Sequence, residues 1–167
     1  MKRDRIAMFS CIPPAHSGIA EYTRNVVKHL AENFEIDVFI GEKPAPAEAN
    51  NIFHHVEFAW KNVRDPYQVI IYQMGNNEIH DFEYSYIGCY PGILVLHDII
   101  LYQARSKYLL KNSLLKEYEE EMRYCHGYSG SRMAQISLKY PIPPLVDLNF
   151  SMNKLLIENS LAVGVHT

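Results

Sequence analysis

Residues 5–40 read RIAMFSCIPPAHSGIAEYTRNVVKHLAENFEIDVFI, and the order of patterns within them decides the fold class. The apolar run at 5–9 predicts a buried strand, and the two prolines and the glycine within 11–18 predict a loop. Apolar side chains then recur at helical spacing, which predicts an amphipathic helix over 19–33. Another apolar run predicts a strand at 36–40. Strand, helix and strand at this spacing predict a parallel crossover unit.

The same alternation continues through the rest of the chain. Short apolar runs bounded by turn residues predict strands, and runs with helical spacing predict the helices between them. The predicted elements are a short edge strand at 54–60, buried strands at 69–73, 93–96 and 161–165, and helices at 79–87, within 99–139 and at 151–159. Proline-containing loops are predicted at 43–51 and 141–144. Together these elements predict an α/β fold with a mostly parallel sheet.

Composition limits the class of protein. The chain has 167 residues, of which 48% are hydrophobic, and a net charge of −3, values that fit one compact domain with a core. No run approaches the roughly 20 apolar residues of a membrane helix, and residues 1–5 lead into a strand pattern instead of a signal-peptide core. We therefore predict a cytoplasmic protein without an integral membrane segment. A slightly acidic chain has no general electrostatic attraction for nucleic acid, so no nucleic-acid partner is predicted.

The distribution of cysteine and histidine predicts no metal site. Cys11, Cys89 and Cys125 are odd in number and far apart, so neither a disulfide framework nor a four-cysteine zinc site can be built from them. They indicate a reducing compartment. His54 and His55 have no carboxylate or cysteine at ligand spacing, which argues against zinc.

The loop that opens the first helix is a candidate anion site. Backbone N–H groups at a helix start and the positive end of the helix dipole attract anions, and Gly18 carries no side chain to hold a phosphate or sugar hydroxyl away. Ser17 is the predicted N-cap. A turn that only connects strand to helix explains the same residues. The dinucleotide fingerprint and the P-loop are both absent, which argues against NAD and ATP.

A histidine and a carboxylate follow the predicted strand at 93–96. His97 lies where open parallel sheets bind ligands, and an imidazole there can hydrogen-bond a substrate hydroxyl. Asp98 beside it is expected to raise the pKa of His97 or set its orientation, and to join the substrate-binding residues. A histidine that satisfies buried backbone groups is the alternative. A helical phosphohydrolase of the His-Asp type fits badly, because its pair lies on a helix.

A third polar turn follows the strand at 69–73. Asn76 and Asn77, with His80 shortly after, can read sugar hydroxyls, although turn chemistry and helix capping by Asn77 explain the asparagines equally well. Three different strands are thus each followed by polar groups. Because parallel strands end at the same edge of the sheet, we expect these groups to lie close together.

Two further groups of residues have simpler interpretations. The glutamates at 117–121 are expected to form a solvated helix face. The chain has 12 tyrosines, of which several could line an acceptor groove, although half-buried packing accounts for them equally. These are Tyr84, Tyr86, Tyr90, Tyr102 and Tyr108. No nucleophile elbow or Ser-His-Asp arrangement is present.

The combination of these motifs is more specific than any one of them. They are R-I-A-M-F-S at 5–10, P-P-x-x-S-G-I-A-E-Y at 13–22, V-I-I-Y-Q-M-G-N-N-x-x-H at 69–80, P-G-I-L-V-L-H-D at 91–98 and N-S-L-A-V-G-V-H-T at 159–167. In this order they resemble the amino-terminal half of family 4 retaining glycosyltransferases of the GT-B fold. The resemblance implies a Rossmann-like three-layer domain that receives the acceptor, facing a second domain that holds the nucleotide sugar.

The resemblance also implies roles for individual residues. Ser17 and Gly18 match the glycine loop of that family, which lies near the donor phosphates and the acceptor. His97 matches the strand-end histidine that reaches the transferred sugar and is the implied catalytic residue. The segment 75–80 matches a G-N-N-x-x-H segment expected to contact the acceptor. No cofactor and no metal are implied.

The family's second domain, with its E-x-7-E segment, is missing from residues 1–167, which form a single acceptor-side domain. The chain also stops just after a predicted strand, so we expect it to be a piece of a larger protein. It is expected to be inactive alone and, in the complete enzyme, to help transfer a sugar from a nucleotide donor to a glycan, lipid or small-molecule acceptor with retention. The alternatives are a non-catalytic module that binds a glycan, a protein or a nucleotide, and a flavodoxin-like domain.

Overall fold

The computed structural model describes residues 3–42, 51–140 and 148–166. The strands are β1 (Arg5–Phe9), β2 (Glu35–Ile40), β3 (Ile52–His54), β4 (Val69–Met74), β5 (Ile93–Leu96) and β6 (Ala162–Val165). The helices are α1 (Gly18–Leu30), α2 (Phe58–Arg64), α3 (Tyr84–Ile87), α4 (Tyr102–Lys111), α5 (Leu115–Ser137) and α6 (Lys154–Glu158). Within the described residues, 3-10 segments cover His55–Glu57 and Glu78–Glu83.

The six strands form one parallel sheet in the order β3-β2-β1-β4-β5-β6. The order reverses direction between β1 and β4, which are neighbours in space although β2 and β3 lie between them in the chain. A crevice opens at the carboxyl ends of the strands where such a reversal occurs. The α/β, Rossmann-like prediction is confirmed.

Alternate residues of β1 face two different cores, and this produces the three layers. Ile6 and Met8 belong to a core with the apolar side chains of α1. Ala7 and Phe9 belong to a second core on the other face of the sheet, which includes Phe58 of α2. Successive residues of a strand point to opposite faces, so a strand apolar at every position is covered on both.

The predicted edge strand at 54–60 is wrong in position. The strand ends at His54, and the following residues turn into the 3-10 segment and then α2. The His54 side chain accepts a hydrogen bond from the Val56 N–H, and the Glu57 carboxylate accepts one from the His54 N–H. This capping box starts a helix where the apolar pattern alone predicts a strand. Phe58 is then completely buried against the sheet.

The prediction that residues 161–165 form a buried strand is also wrong in part. Residues 162–165 do form β6, but Val163 and Val165 are 41% and 55% exposed. The strand order explains the difference, because among the described strands β6 pairs with β5 alone and lies at the edge of the sheet.

The segments predicted as helices are helical in the structure, but their lengths differ from the predicted ones. The predicted helix at 79–87 is mostly a 3-10 segment, with only α3 continuing as an α-helix. The predicted helix at 151–159 shortens to α6. Ser17 is the N-cap of α1, as predicted, and its Oγ accepts a hydrogen bond from the Ile19 N–H at 3.2 Å.

Helix α5 folds back on itself at Gly127, whose φ of 63° and ψ of −144° interrupt the helix. The Glu119 carboxylate accepts hydrogen bonds from Ser131 and Gln135. Residues 16 positions apart on a straight helix are about 24 Å apart, so these bonds require an antiparallel hairpin. Glu121 departs from the predicted solvated face, because it is 9% exposed and pairs with Arg105.

Among the residues that the structure describes, no helix is both long and apolar enough to cross a membrane. The loop predicted at 43–51 lies outside the described residues except for residue 51, and the proline segment 141–144 lies outside them completely.

Candidate functional site

A polar hollow of about 460 Å³ lies at the carboxyl ends of β1, β4 and β5, at the reversal of strand order. The loops after all three strands contribute to it, as expected from their sequence. Its lining residues are His16, Ser17, Gly18, Ile19, Asn76, Asn77, His97 and Asp98. Six of the seven predicted site residues therefore share one hollow, and His80 does not line it.

A larger hollow, of about 730 Å³, lies elsewhere, between α1 and the strands β2 and β3. Its walls are mainly apolar, with Phe34, Ile36 and Val38 among them, and its charged side chains are Arg3, Arg24 and Glu35. Its lining among the described residues includes no histidine, no cysteine and no pair of amide side chains at a strand end. We therefore take the smaller hollow as the candidate site, because chemistry depends on convergent polar groups more than on volume.

The start of α1 forms one wall of the hollow. The Ser17 hydroxyl accepts from the Ile19 N–H and the Ser17 carbonyl from the Ala20 N–H, so two amides of the first turn are used by the protein itself and the Gly18 N–H is the one left to face a ligand. A Cβ placed on Gly18 would meet no atom within 4 Å, which means that the space beside this residue is open to a ligand. Helix α1 has 13 residues, long enough for its dipole to act at this end.

The turn after β4 is held by two asparagine side chains. The Asn77 side-chain oxygen accepts from the Ile79 N–H at 3.1 Å, and the Asn76 oxygen accepts from the Ala104 N–H at 3.0 Å at the start of α4. Each amide oxygen thus caps a helical segment, as the capping alternative predicts for Asn77. The side-chain NH₂ groups of both residues have no partner among the residues that the structure describes, and they remain available as donors to a ligand.

Asp98 tightens this turn instead of pairing with His97. Its Oδ2 accepts a hydrogen bond from the Asn76 N–H at 2.9 Å. Gly75 allows the close approach, since a Cβ there would collide with the Ile19 side chain and lie 3.3 Å from the Asp98 oxygen. The loops after β4 and β5 are therefore tied to each other by a hydrogen bond between two residues that line the hollow.

His97 is oriented by a buried glutamine. Its Nε2 lies 2.8 Å from the Oε1 of Gln73, which is 2% exposed. Because a carbonyl oxygen only accepts, Nε2 carries the proton and Nδ1 of the neutral ring keeps its lone pair. Burial and then the nearby His166 lower the pKa of His97, outweighing the opposite effect of Asp98. Asp98 therefore does act to raise this pKa, as expected, but burial and His166 outweigh it, and the hydrogen bond that orients the ring comes from Gln73 instead of Asp98.

Two aromatic residues that contact His97 were not predicted as site residues from the sequence. Tyr22 of α1 contacts the His97 ring edge-on at 4.9 Å, and His166 stacks on it at 4.5 Å. His166 directly follows β6, just as His97 follows β5, so the rule that pointed to His97 could have found it. Tyr22 lies one turn beyond Gly18 on the same helix.

His80 lies under the hollow and is only 1% exposed. Its Nδ1 is 2.9 Å from Glu83 Oε1, and its Nε2 is 3.9 Å from the thiol sulfur of Cys11. Burial lowers the pKa of His80 to about 4 and raises the pKa of the fully buried Glu83. Both shifts favour a neutral pair, so these residues support the floor of the site, and a direct role for His80 in binding stays a prediction.

The other candidates of the sequence have structural partners. Tyr84, Tyr86 and Tyr90 pack against the central core. Tyr102 is buried, while Tyr108 lines a neighbouring hollow. His55 lies 2.9 Å from the Tyr86 hydroxyl. Within the described ranges no cluster of three metal-ligating side chains occurs.

We expect the substitution Asp81→Asn to stabilise the protein increasingly as the pH rises from about 5 to 7. Asp81 is 6% exposed, and its Oδ2 has no hydrogen-bond partner among the described residues. Burial raises the pKa of this carboxyl to about 7. The folded state therefore keeps a proton that the unfolded state releases near pH 4, and wild-type stability is lost as the pH rises through this window.

Urea unfolding of both proteins at several pH values measures this effect. The difference in unfolding free energy should grow by up to about 1 kcal/mol per pH unit. Glu78→Gln is the matched control, because hydrogen bonding to Lys107 lowers the pKa of Glu78. The pH dependence of its stability difference from the wild type should therefore have the opposite sign. A difference for Asp81→Asn that is constant with pH would contradict the prediction.

Comparison of the chain with models of protein families, with curated proteins and with solved structures found no match in any of the three.

Proposed function

We propose that this chain is the acceptor-side domain of a GT-B-type retaining glycosyltransferase that resembles family 4. The observation that carries the proposal is a convergence of groups in one hollow at the reversal of strand order. The hollow joins the start of α1, the free side-chain NH₂ groups of two asparagines and the neutral imidazole of His97. Of these groups, the uncharged asparagine amides and the imidazole are suited to sugar hydroxyls. The quoted motifs occur in the order that this family leads one to expect.

Each part of the hollow has a role in this proposal. His97 accepts a hydrogen bond from a sugar hydroxyl through Nδ1, while Gln73 holds its other nitrogen. Asn76 and Asn77 donate through their amide groups, and the first turn of α1 faces the phosphate of the donor. Stabilisation of the leaving diphosphate falls chiefly to the second domain that the resemblance implies. The reaction transfers the sugar to an acceptor hydroxyl with retained anomeric configuration.

One observation favours the alternative of a non-catalytic glycan-binding module. The acidic side chain among the lining residues, Asp98, already accepts a hydrogen bond from the Asn76 N–H. Proton transfer from an acceptor hydroxyl needs a base within hydrogen-bond reach, and the His97 imidazole in this hollow is a weak one, because burial lowers its pKa. A module that only binds sugars needs no such base.

The test begins with ligand binding to the chain itself. We expect UDP-glucose, GDP-mannose or a neutral oligosaccharide to shift the amide NMR signals of the three loops. His97→Gln should weaken that binding about tenfold, the effect of losing one well-placed hydrogen bond to a ligand. His29→Gln is the control, because His29 lies near the other end of α1 with its side chain 78% exposed. Unchanged affinity in His97→Gln would contradict the role of His97.

The complete reading frame then separates the two functions. A glycosyltransferase releases nucleoside diphosphate from the donor in the presence of acceptor, and His97→Gln reduces that rate. Binding of the oligosaccharide without any release supports the module. If none of the three probes binds and no donor is consumed, both proposals fail.

A further inference from the structure

Three aromatic rings from distant parts of the chain meet beside the hollow. Tyr22 contacts both imidazoles edge-on, with ring centroids 4.9 Å from His97 and 4.9 Å from His166. The two imidazoles stack at 4.5 Å with an angle of 26° between their planes. Each ring therefore touches the other two.

We infer that Tyr22 and His166 are positioning residues, which hold the His97 imidazole as a single neutral tautomer with Nδ1 available to a ligand hydroxyl. The inference deepens the proposed function and rests on it for the identity of the ligand.

The packing around His97 leaves its ring few orientations. Gln73 accepts from Nε2 on one side, His166 covers a face of the ring, and Tyr22 packs edge-on. A flip of the ring by half a turn would break the bond to Gln73 and leave a buried glutamine oxygen without its donor. Such an unmade buried hydrogen bond is costly, and the two aromatic contacts add to the restraint.

The charged and titratable groups around His97 also favour the neutral ring. Tyr22 faces it from α1, His166 from the end of β6, and His80 from the 3-10 segment. A second positive charge on the stacked His166 opposes protonation of His97. Asp98 has the opposite effect, but it is exposed and its Oδ2 is bonded to the Asn76 N–H. An imidazole in this setting recognises a neutral hydroxyl better than an anion.

The ligand-free chain provides the test, because the state of His97 is visible by NMR. Labelling of the eight histidines with ¹⁵N distinguishes the two tautomers, and a pH titration gives the pKa of each ring. His166→Phe keeps a stacked ring but removes the basic nitrogen, so we expect the pKa of His97 to rise while its tautomer is retained. His166→Ala and Tyr22→Leu remove contacts, and we expect a mixture of both tautomers. Tyr22→Phe preserves the edge contact and should change neither property.

These outcomes are separable from the proposed function. His29→Ala should leave His97 unchanged, and amide spectra show which variants fold. If Tyr22→Leu does not fold, the two His166 variants decide. Unaltered tautomer and pKa of His97 in both His166 variants would overturn the inference.

If the signals change as expected while UDP-glucose fails to bind, the positioning stands and the proposed function fails. If UDP-glucose binds, His166→Ala should weaken the affinity for UDP-glucose about fivefold, because the His97 side chain must then be ordered when the ligand binds.

Discussion

Replacing Asp37 with alanine is expected to destabilise the protein by about 3 kcal/mol, because the substitution removes the common partner of two positive charges. Asp37 is on β2 and is 3% exposed. Its Oδ2 lies 3.0 Å from the guanidinium of Arg5, 3.3 Å from the Lys61 ammonium and 2.5 Å from the Tyr67 hydroxyl, which donates to it. Arg5 is itself only 6% exposed. Its charge would stay buried with weaker pairing.

Urea unfolding followed by far-UV circular dichroism measures this loss. Glu35→Ala is the matched control, since Glu35 pairs with the same Arg5 at 3.2 Å but its side chain is 49% exposed. Exposed ion pairs contribute about 0 to 1 kcal/mol, so the control should lose less than that. Asp37→Asn keeps an acceptor for Tyr67 and removes the charge. Its loss of unfolding free energy should therefore lie between the losses for Asp37→Ala and Glu35→Ala. Equal losses for Asp37→Ala and Glu35→Ala would refute the central role of Asp37.

The second large effect is expected for Gly130→Ala, which should cost about 3 kcal/mol of stability. Gly130 lies in the returning half of α5, three residues after the reversal at Gly127. A Cβ at this position would lie 2.7 Å from the carbonyl carbon of Met122 and 2.8 Å from the Cβ of His126. Both distances are far inside van der Waals contact, and a helix backbone cannot yield locally. The two halves of the hairpin would have to separate.

Gly88→Ala is the control for this prediction. Gly88 has a helical φ of −72°, and a Cβ there would meet nothing within 4 Å. The substitution should therefore change stability by less than about 1 kcal/mol, because it only restricts the unfolded chain. Thermal unfolding of the two variants beside the wild type gives the comparison. A Gly130→Ala protein as stable as the Gly88→Ala protein would show that the helices of the hairpin do not approach this closely.

The features of the fold that follow from local patterns could be predicted from the sequence. The runs at 5–9 and 69–73 are apolar at nearly every position, which only a strand covered on both faces needs, and both are strands. Ser17 before a run with helical spacing marks a helix start, and it is the N-cap of α1. The prediction for 54–60 was wrong because an apolar run of this length fits a strand or the start of a helix. The prediction for 161–165 was wrong in part because the same kind of run fits a buried strand or an edge strand.

The convergence of these side chains at one edge of the sheet was predictable for a similar reason. Ser17, Asn76 and His97 each follow a strand of one parallel sheet, so topology alone brings them to the same edge. Their partners were not predictable. Gln73 lies within β4 and reads as an ordinary strand residue, yet it sets the tautomer of His97. His80 carries the same motif signal as the asparagines, but a 3-10 turn directs it under the hollow and out of its lining.

By itself, then, the sequence determined the class of fold and the edge at which polar groups gather, because both depend on hydrophobic period and on the common direction of parallel strands. The order of the strands, the exposure of β6 and the meeting of Tyr22 with His97 and His166 are set by how the chain packs in three dimensions. Those features depend on contacts between residues as many as 144 positions apart, Tyr22 and His166 among them. No local pattern encodes such contacts, since each is selected by how all the layers pack together.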